Sequence, residues 1–183
     1  MAIHPDTASM LQESLREYLC VADWCVHYQK DDSCWPGQSG GRLGYPAAVM
    51  MFCIADTIGA FHRGDGNFSV VVDGKAVAIR KQGFQHFYVL NGDYYGQSLS
   101  EAAIRRIYTN FRDILVHNAA LAPEHLLVSL PKSSEAFPVH QGRQLVNIDG
   151  FLGISQAAVN RFLARAAALV PRSQQAENIR RKR

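Results

Sequence analysis

Apolar positions recur along this chain at two periods, helical and alternating, and the switches between them mark out the elements. Leu11, Leu15, Tyr18, Leu19, Ala22 and Val26 form one helical stripe, predicting a first helix capped at Thr7 or Ser9 and ending near His27. Gln29 to Gly44, with Pro36 and four glycines, reads as a loop. Pro46 sits where a helix start tolerates proline, and the dense apolar run from Ala47 to Phe61 predicts a central helix. Asp56 shares the spacing of Val49, Phe52, Cys53 and Ala60, which puts a carboxylate beside the core. Asp73-Gly74-Lys75 between two β-branched runs predicts a hairpin near residues 68–80. Phe84, Phe87 and Tyr88 favour a short helix over 84–90, with His86 as a packed or surface histidine.

The next helix organises the rest. Ser98-Leu99-Ser100-Glu101 fits a capping box that starts it near Leu99, and Pro123 bounds its end. Ile104, Ile107, Tyr108, Phe111, Ile114 and Leu115 fall within roughly 60° of a common direction at 100° per residue. The opposite side carries Arg105, Arg106, Asn110, Arg112, Asp113 and His117. Asp113 and His117 are four apart, so the carboxylate can orient the imidazole. On a regular helix Arg112 lies about 140° around from His117. Beyond Pro123, residues 126–130 and 144–148 read as two short strands joined by a polar loop, and Ile154 to Val170 as a closing helix. Residues 173–183 read as a basic flexible tail.

A chain of 183 residues, 48% hydrophobic, suffices for one well-buried domain, and a charged fraction of 19% argues against wholesale disorder. The net charge of +3 does not by itself mark a nucleic-acid binder; without Arg180-Arg181-Lys182-Arg183 it becomes −1. Cys20, Cys25, Cys34 and Cys53 form no Cys-x-x-Cys pair, and nothing nearby completes a site around Cys25-Val26-His27, so neither metal nor cofactor is expected. Met1 to Asp6 lacks a basic segment followed by an apolar core, and Asp56 and Gly59 interrupt the apolar run ending at Phe61. A cytoplasmic protein with reduced thiols is the expectation. Arg63-Gly64-Asp65 spells an adhesion tripeptide, read here as chance.

The elements add up to a mainly α fold, a helical bundle with short β-hairpin insertions and a C-terminal helix. Within it, Arg112-Asp113-Ile114-Leu115-Val116-His117 resembles the signature of the HEPN superfamily. That signature is an arginine, a polar residue and a histidine a few positions on, near the end of the last bundle helix. Tyr108, Phe111 and Asn118 around it are similar to the family as well. The resemblance covers about residues 8–122. It implies a four-helix up-and-down bundle there; residues 123–172, which the resemblance does not reach, read from their own pattern as a β-hairpin plus closing helix packed on the same domain. The resemblance also implies a metal-independent endoribonuclease of a defence or toxin–antitoxin system, acting on RNA as a homodimer and restrained by an antitoxin or awaiting an activating partner.

RNA cleavage by 2′-OH attack needs a base, an acid and positive charge on the phosphate. On the resemblance His117 is the acid or base, Arg112 binds the scissile phosphate with its donor fork, and Asp113 orients either one. Arg105, Arg106, Asn110 and Asn118 are supporting RNA contacts. A dimer cleft would bring two such imidazoles together. Ala119 stands where relatives paired with a nucleotidyltransferase antitoxin carry tyrosine, so that pairing is not implied. The alternative is a non-catalytic HEPN module, a dimerising partner that binds nucleic acid or nucleotide.

Overall fold

The structure, a computed structural model, describes residues 4–181. It is mainly helical. Met1 to Ile3 and the Lys182-Arg183 end of the basic tail lie outside the described residues.

Helix α1 spans Thr7–His27 and α2 spans Gly44–Phe61. The N-cap of α1 is Asp6, not Thr7 or Ser9; its carboxylate accepts from the Ser9 backbone N–H at 2.7 Å. Helix α2 is long and apolar enough to cross a membrane by those two measures. Here it is the core helix: Met51, Phe52, Ile54, Ala55 and Ile58 are fully buried, and it packs against α1, α5 (Ile148–Leu169) and a 3-10 helix over Gly83–Leu90. Phe52 lies at the centre, 5.1 Å from the Phe151 ring and 6.0 Å from Phe87, in tilted contacts suited to aromatic quadrupoles.

Between α2 and the 3-10 helix, β1 (Val70–Val72) and β2 (Lys75–Val77) form the expected antiparallel hairpin, with Val71 opposite Ala76. Asp73 and Gly74 both take positive φ at its turn. The organising helix starts later than the capping box suggested. Ser100, not Ser98, caps it, its hydroxyl accepting from the Ala103 N–H at 3.2 Å. It runs as α3 (Glu101–Ile107), a π-helical turn (Tyr108–Asp113) and α4 (Ile114–Asn118), ending at Ala119 in a left-handed conformation.

Three expectations for the C-terminal third change. The strands read at 126–130 and 144–148 are β3 (Leu127–Val128) and β6 (Val146–Asn147), which pair in parallel and so form no hairpin. The small hairpin there is β4 (Val139–His140) with β5 (Arg143–Gln144). The closing helix α5 begins at Ile148 rather than Ile154. Finally, the tail read as flexible from residue 173 is a helix, α6 (Gln174–Arg181), seated by buried Ala176 and partly buried Ile179. Its polar composition hid the two apolar residues, three apart, that dock it.

Candidate active site

Three elements converge on Asp56. Helix α2 supplies the carboxylate, the 3-10 helix supplies His86 and the π turn supplies Arg112. Arg112 Nη2 donates to Asp56 Oδ2 at 2.6 Å, and His86 Nδ1 donates to Asp56 Oδ1 at 2.7 Å. The 3-10 helix comes this close because α2 carries glycine at position 59: a Cβ there would stand 2.1 Å from the His86 carbonyl oxygen.

Burial alone would raise the Asp56 carboxyl, but the His86 hydrogen bond and the Arg112 charge outweigh it and hold the group below the usual carboxylate range. An ionised carboxylate only accepts, so the His86 proton sits on Nδ1 and a neutral ring presents a bare lone pair at Nε2. That Nε2 is buried without a partner, as is Arg112 Nε. The guanidinium also lies 5.3 Å from the centre of the Tyr108 ring. Burial pushes the nearby Cys53 thiol up despite Arg112, which disfavours a thiolate there.

Asp56, Arg63, His86, Tyr108, Arg112 and Gln175 line a cleft of about 380 Å³. From its floor the polar contacts continue outward. Arg112 Nη1 is 3.5 Å from Asp113 Oδ1, and the same oxygen is 3.4 Å from His117 Nε2. The result is one line of polar contacts, His86–Asp56–Arg112–Asp113–His117, running from a buried imidazole to one that is 66% exposed.

The structure brings Arg112, Asp113 and His117 together along this line. It differs from the regular-helix reading in aiming Arg112 inward at Asp56. The π turn is the cause: each of its residues advances less than a helical 100°, so directions drawn for a regular helix fail beyond Tyr108. The supporting residues lie elsewhere, and none of the four lines the cleft. Arg105 pairs with Glu101 at 2.8 Å and stacks 3.7 Å over the Phe84 ring, Arg106 and Asn118 are exposed, and Asn110 is half-buried.

No family model, curated protein or solved structure matches the chain. Its chemistry is read from the side chains. Asp56 and His86 are also metal-ligand types, but both carboxylate oxygens are engaged, and among the described residues no three such groups cluster. A carboxylate-oriented imidazole beside a guanidinium suits proton transfer at a phosphate.

Sequence reasoning set Asp56 beside the core, as a residue that caps or pairs, and His86 as a packed or surface histidine, so both were left out of the site. The available signal was Asp56 itself, a carboxylate inside an otherwise apolar helix.

Proposed function

We propose that the chain is a metal-independent endoribonuclease on a HEPN-like four-helix bundle. The observation that carries this reading is the line joining both histidines to Arg112 through Asp56 and Asp113. In the proposed reaction an imidazole takes the proton of a ribose 2′-OH, and the 2′-oxygen attacks phosphorus. The bond to the 5′-oxygen breaks, and that oxygen receives a proton from an imidazolium, leaving a 2′,3′-cyclic phosphate and a 5′-hydroxyl. Arg112 binds the phosphate oxygens, held in place by Asp56. His117 is the solvent-facing proton carrier and His86 the inner one.

The proposed protein works as a homodimer with the His117 edges facing, under the restraint of an antitoxin or activating partner, as a cytoplasmic defence or toxin–antitoxin component. One feature favours the alternative of a non-catalytic nucleic-acid- or nucleotide-binding module: the Arg112 fork is already engaged by a carboxylate.

The deciding experiment incubates purified protein with single-stranded RNA in EDTA beside Arg112→Ala and His117→Ala proteins prepared identically. Cleavage by the wild type to cyclic-phosphate ends, lost in both variants, supports the ribonuclease. Cleavage retained in both variants, or ends lacking the cyclic phosphate, overturns it. An inert wild type that still binds RNA selects the binding module.

A further inference from the structure

A second cleft, of about 510 Å³, adjoins the first. Phe61 and Arg63 line both, and the start of α6 divides them, Gln174 facing one and Gln175 the other. Its floor is aromatic. The His62 ring stacks on Phe68 at 3.9 Å and 22°, and shares a hydrogen bond with the Tyr94 hydroxyl at 2.8 Å. Burial lowers the His62 imidazole to about 4, so the ring is neutral near pH 7 and backs Phe68 without charge. His62 Nδ1 is buried with no hydrogen-bond partner, its nearest acidic oxygen being Asp65 Oδ2 at 3.5 Å.

The walls are built firmly. Arg161 Nη1 donates to the backbone carbonyls of Asp93 and Tyr94 at 2.8 and 2.7 Å, which fixes Tyr94. The loop carrying Arg63-Gly64-Asp65 is tied to Ile79, Gly64 N–H donating to its carbonyl at 2.9 Å. Gly64 has φ +77, and any side chain there would press on Gln174 at the divide. Around this floor stand three guanidiniums, Arg63, Arg165 and Arg172, against one carboxylate, Asp65. Arg165 and Arg172 are exposed; Arg165 lies 3.4 Å from Asp93 Oδ2 and 5.6 Å from the centre of the Tyr94 ring, contacts at the surface that an incoming phosphate would exchange.

The geometry points to a seat for one nucleotide unit, a flat ring against the partly exposed Phe68, which buried His62 and Tyr94 back from beneath, with its phosphate toward Arg165 and Arg172. Building on the ribonuclease reading, this unit is the neighbour of the one that is cut, and the strand passes between clefts over Arg63. Planar rings of any base stack on aromatic side chains, and arginine forks bind phosphate, so the seat is tolerant of sequence. The same chemistry would recognise a free mononucleotide, and the test separates the two sources.

The probe is a fluorescein-labelled hexanucleotide with 2′-O-methyl riboses, which no 2′-OH attack can cut, followed by anisotropy in EDTA at several salt concentrations. Changing Arg165→Gln and Arg172→Gln together should weaken binding by roughly tenfold and reduce the salt slope by about 0.7 per arginine. Phe68→Leu should weaken binding by about fivefold or more with the slope unchanged. AMP should displace the probe only at far higher concentration than an unlabelled hexanucleotide. Affinity and slope unaltered by the arginine pair overturn the seat, and AMP competing as well as the hexamer overturns its assignment to a strand. Cleavage of ordinary RNA is scored separately. Arginine-dependent binding without cleavage removes the ribonuclease and keeps the seat, whereas cleavage with arginine-independent binding removes the seat and keeps the ribonuclease.

Discussion

The Arg112 guanidinium and the Asp56 carboxylate meet at 2.6 Å across 56 residues of sequence, in a site where their side chains are only 19% and 22% exposed. Such a pair is worth little net against an apolar replacement of both partners, but removing one leaves the other charge stranded. Asp56→Ala strands Arg112 and also deprives His86 Nδ1 of its acceptor. The expected cost is about 3 kcal/mol, read as a lower urea midpoint. If the midpoint stays at the wild-type value, the pair does not anchor the site.

The same pair sets an acid dependence. The folded-state Asp56 carboxyl lies below its ordinary value, so its contribution is present above the unfolded value and is lost as pH falls through the folded one. From an ordinary carboxyl value of 3.8, the loss belongs at and below about pH 4. Asp56→Asn should therefore flatten the stability curve in that region. An unchanged acid slope in the variant would count against the pair.

His62 acts at higher pH and with the opposite chemistry. Burial lowers its folded value to about 4 from 6.5, with Arg165 acting in the same direction and Asp65 partly opposing. Below 6.5 the unfolded chain takes up a proton that the folded one refuses, so stability falls as pH drops toward 4 and then levels. The whole effect is at most about 3 kcal/mol. His62→Gln should be less stable than wild type at pH 7, because Tyr94 loses its partner, with the gap closing by pH 4.5. Chemical denaturation at the two pH values checks it, and a pH-independent gap would mean that folding leaves the proton affinity of His62 unchanged.

What could be read in advance follows the strength of the local signal. The central helix, the Asp73-Gly74 hairpin and the Arg112–His117 segment rest on periodicity or turn chemistry and lie where expected. Local pattern is silent about side chains from distant elements meeting, and Asp56 with His86 and Arg112 is such a meeting. The π turn was invisible for a related reason: no residue type marks it, and every angle had assumed a regular period. Apolar runs point to the strands β3 and β6, but such a run does not say which way two strands pair, so their parallel pairing stays hidden in the sequence.

Gly59 is the fixed point for the inner histidine. Its missing Cβ admits the His86 backbone, where a methyl would stand 2.1 Å from the carbonyl oxygen, and backbone cannot swing aside as a side chain does. Gly59→Ala should push the 3-10 helix off α2 and cost about 3 kcal/mol or more, despite the better helix propensity of alanine. Thermal denaturation reads this directly. A variant as stable as wild type would show that the two elements are not in contact in solution.

The two imidazoles differ in burial, and the difference separates their roles. His117 is mostly exposed and held only by Asp113 at 3.4 Å, so His117→Gln should leave stability within about 0.5 kcal/mol of wild type. On the proposed chemistry it should lower RNA cleavage by about a hundredfold or more. His86→Gln keeps a donor for Asp56 but removes the buried Nε2 lone pair. If His86 is the inner proton carrier, its loss should abolish one limb of the pH–rate profile and His117→Gln the other. Should His86→Gln lower cleavage uniformly with the profile intact, His86 is a positioning residue for Asp56 and Arg112, and both proton transfers fall to His117 and its copy in a dimer.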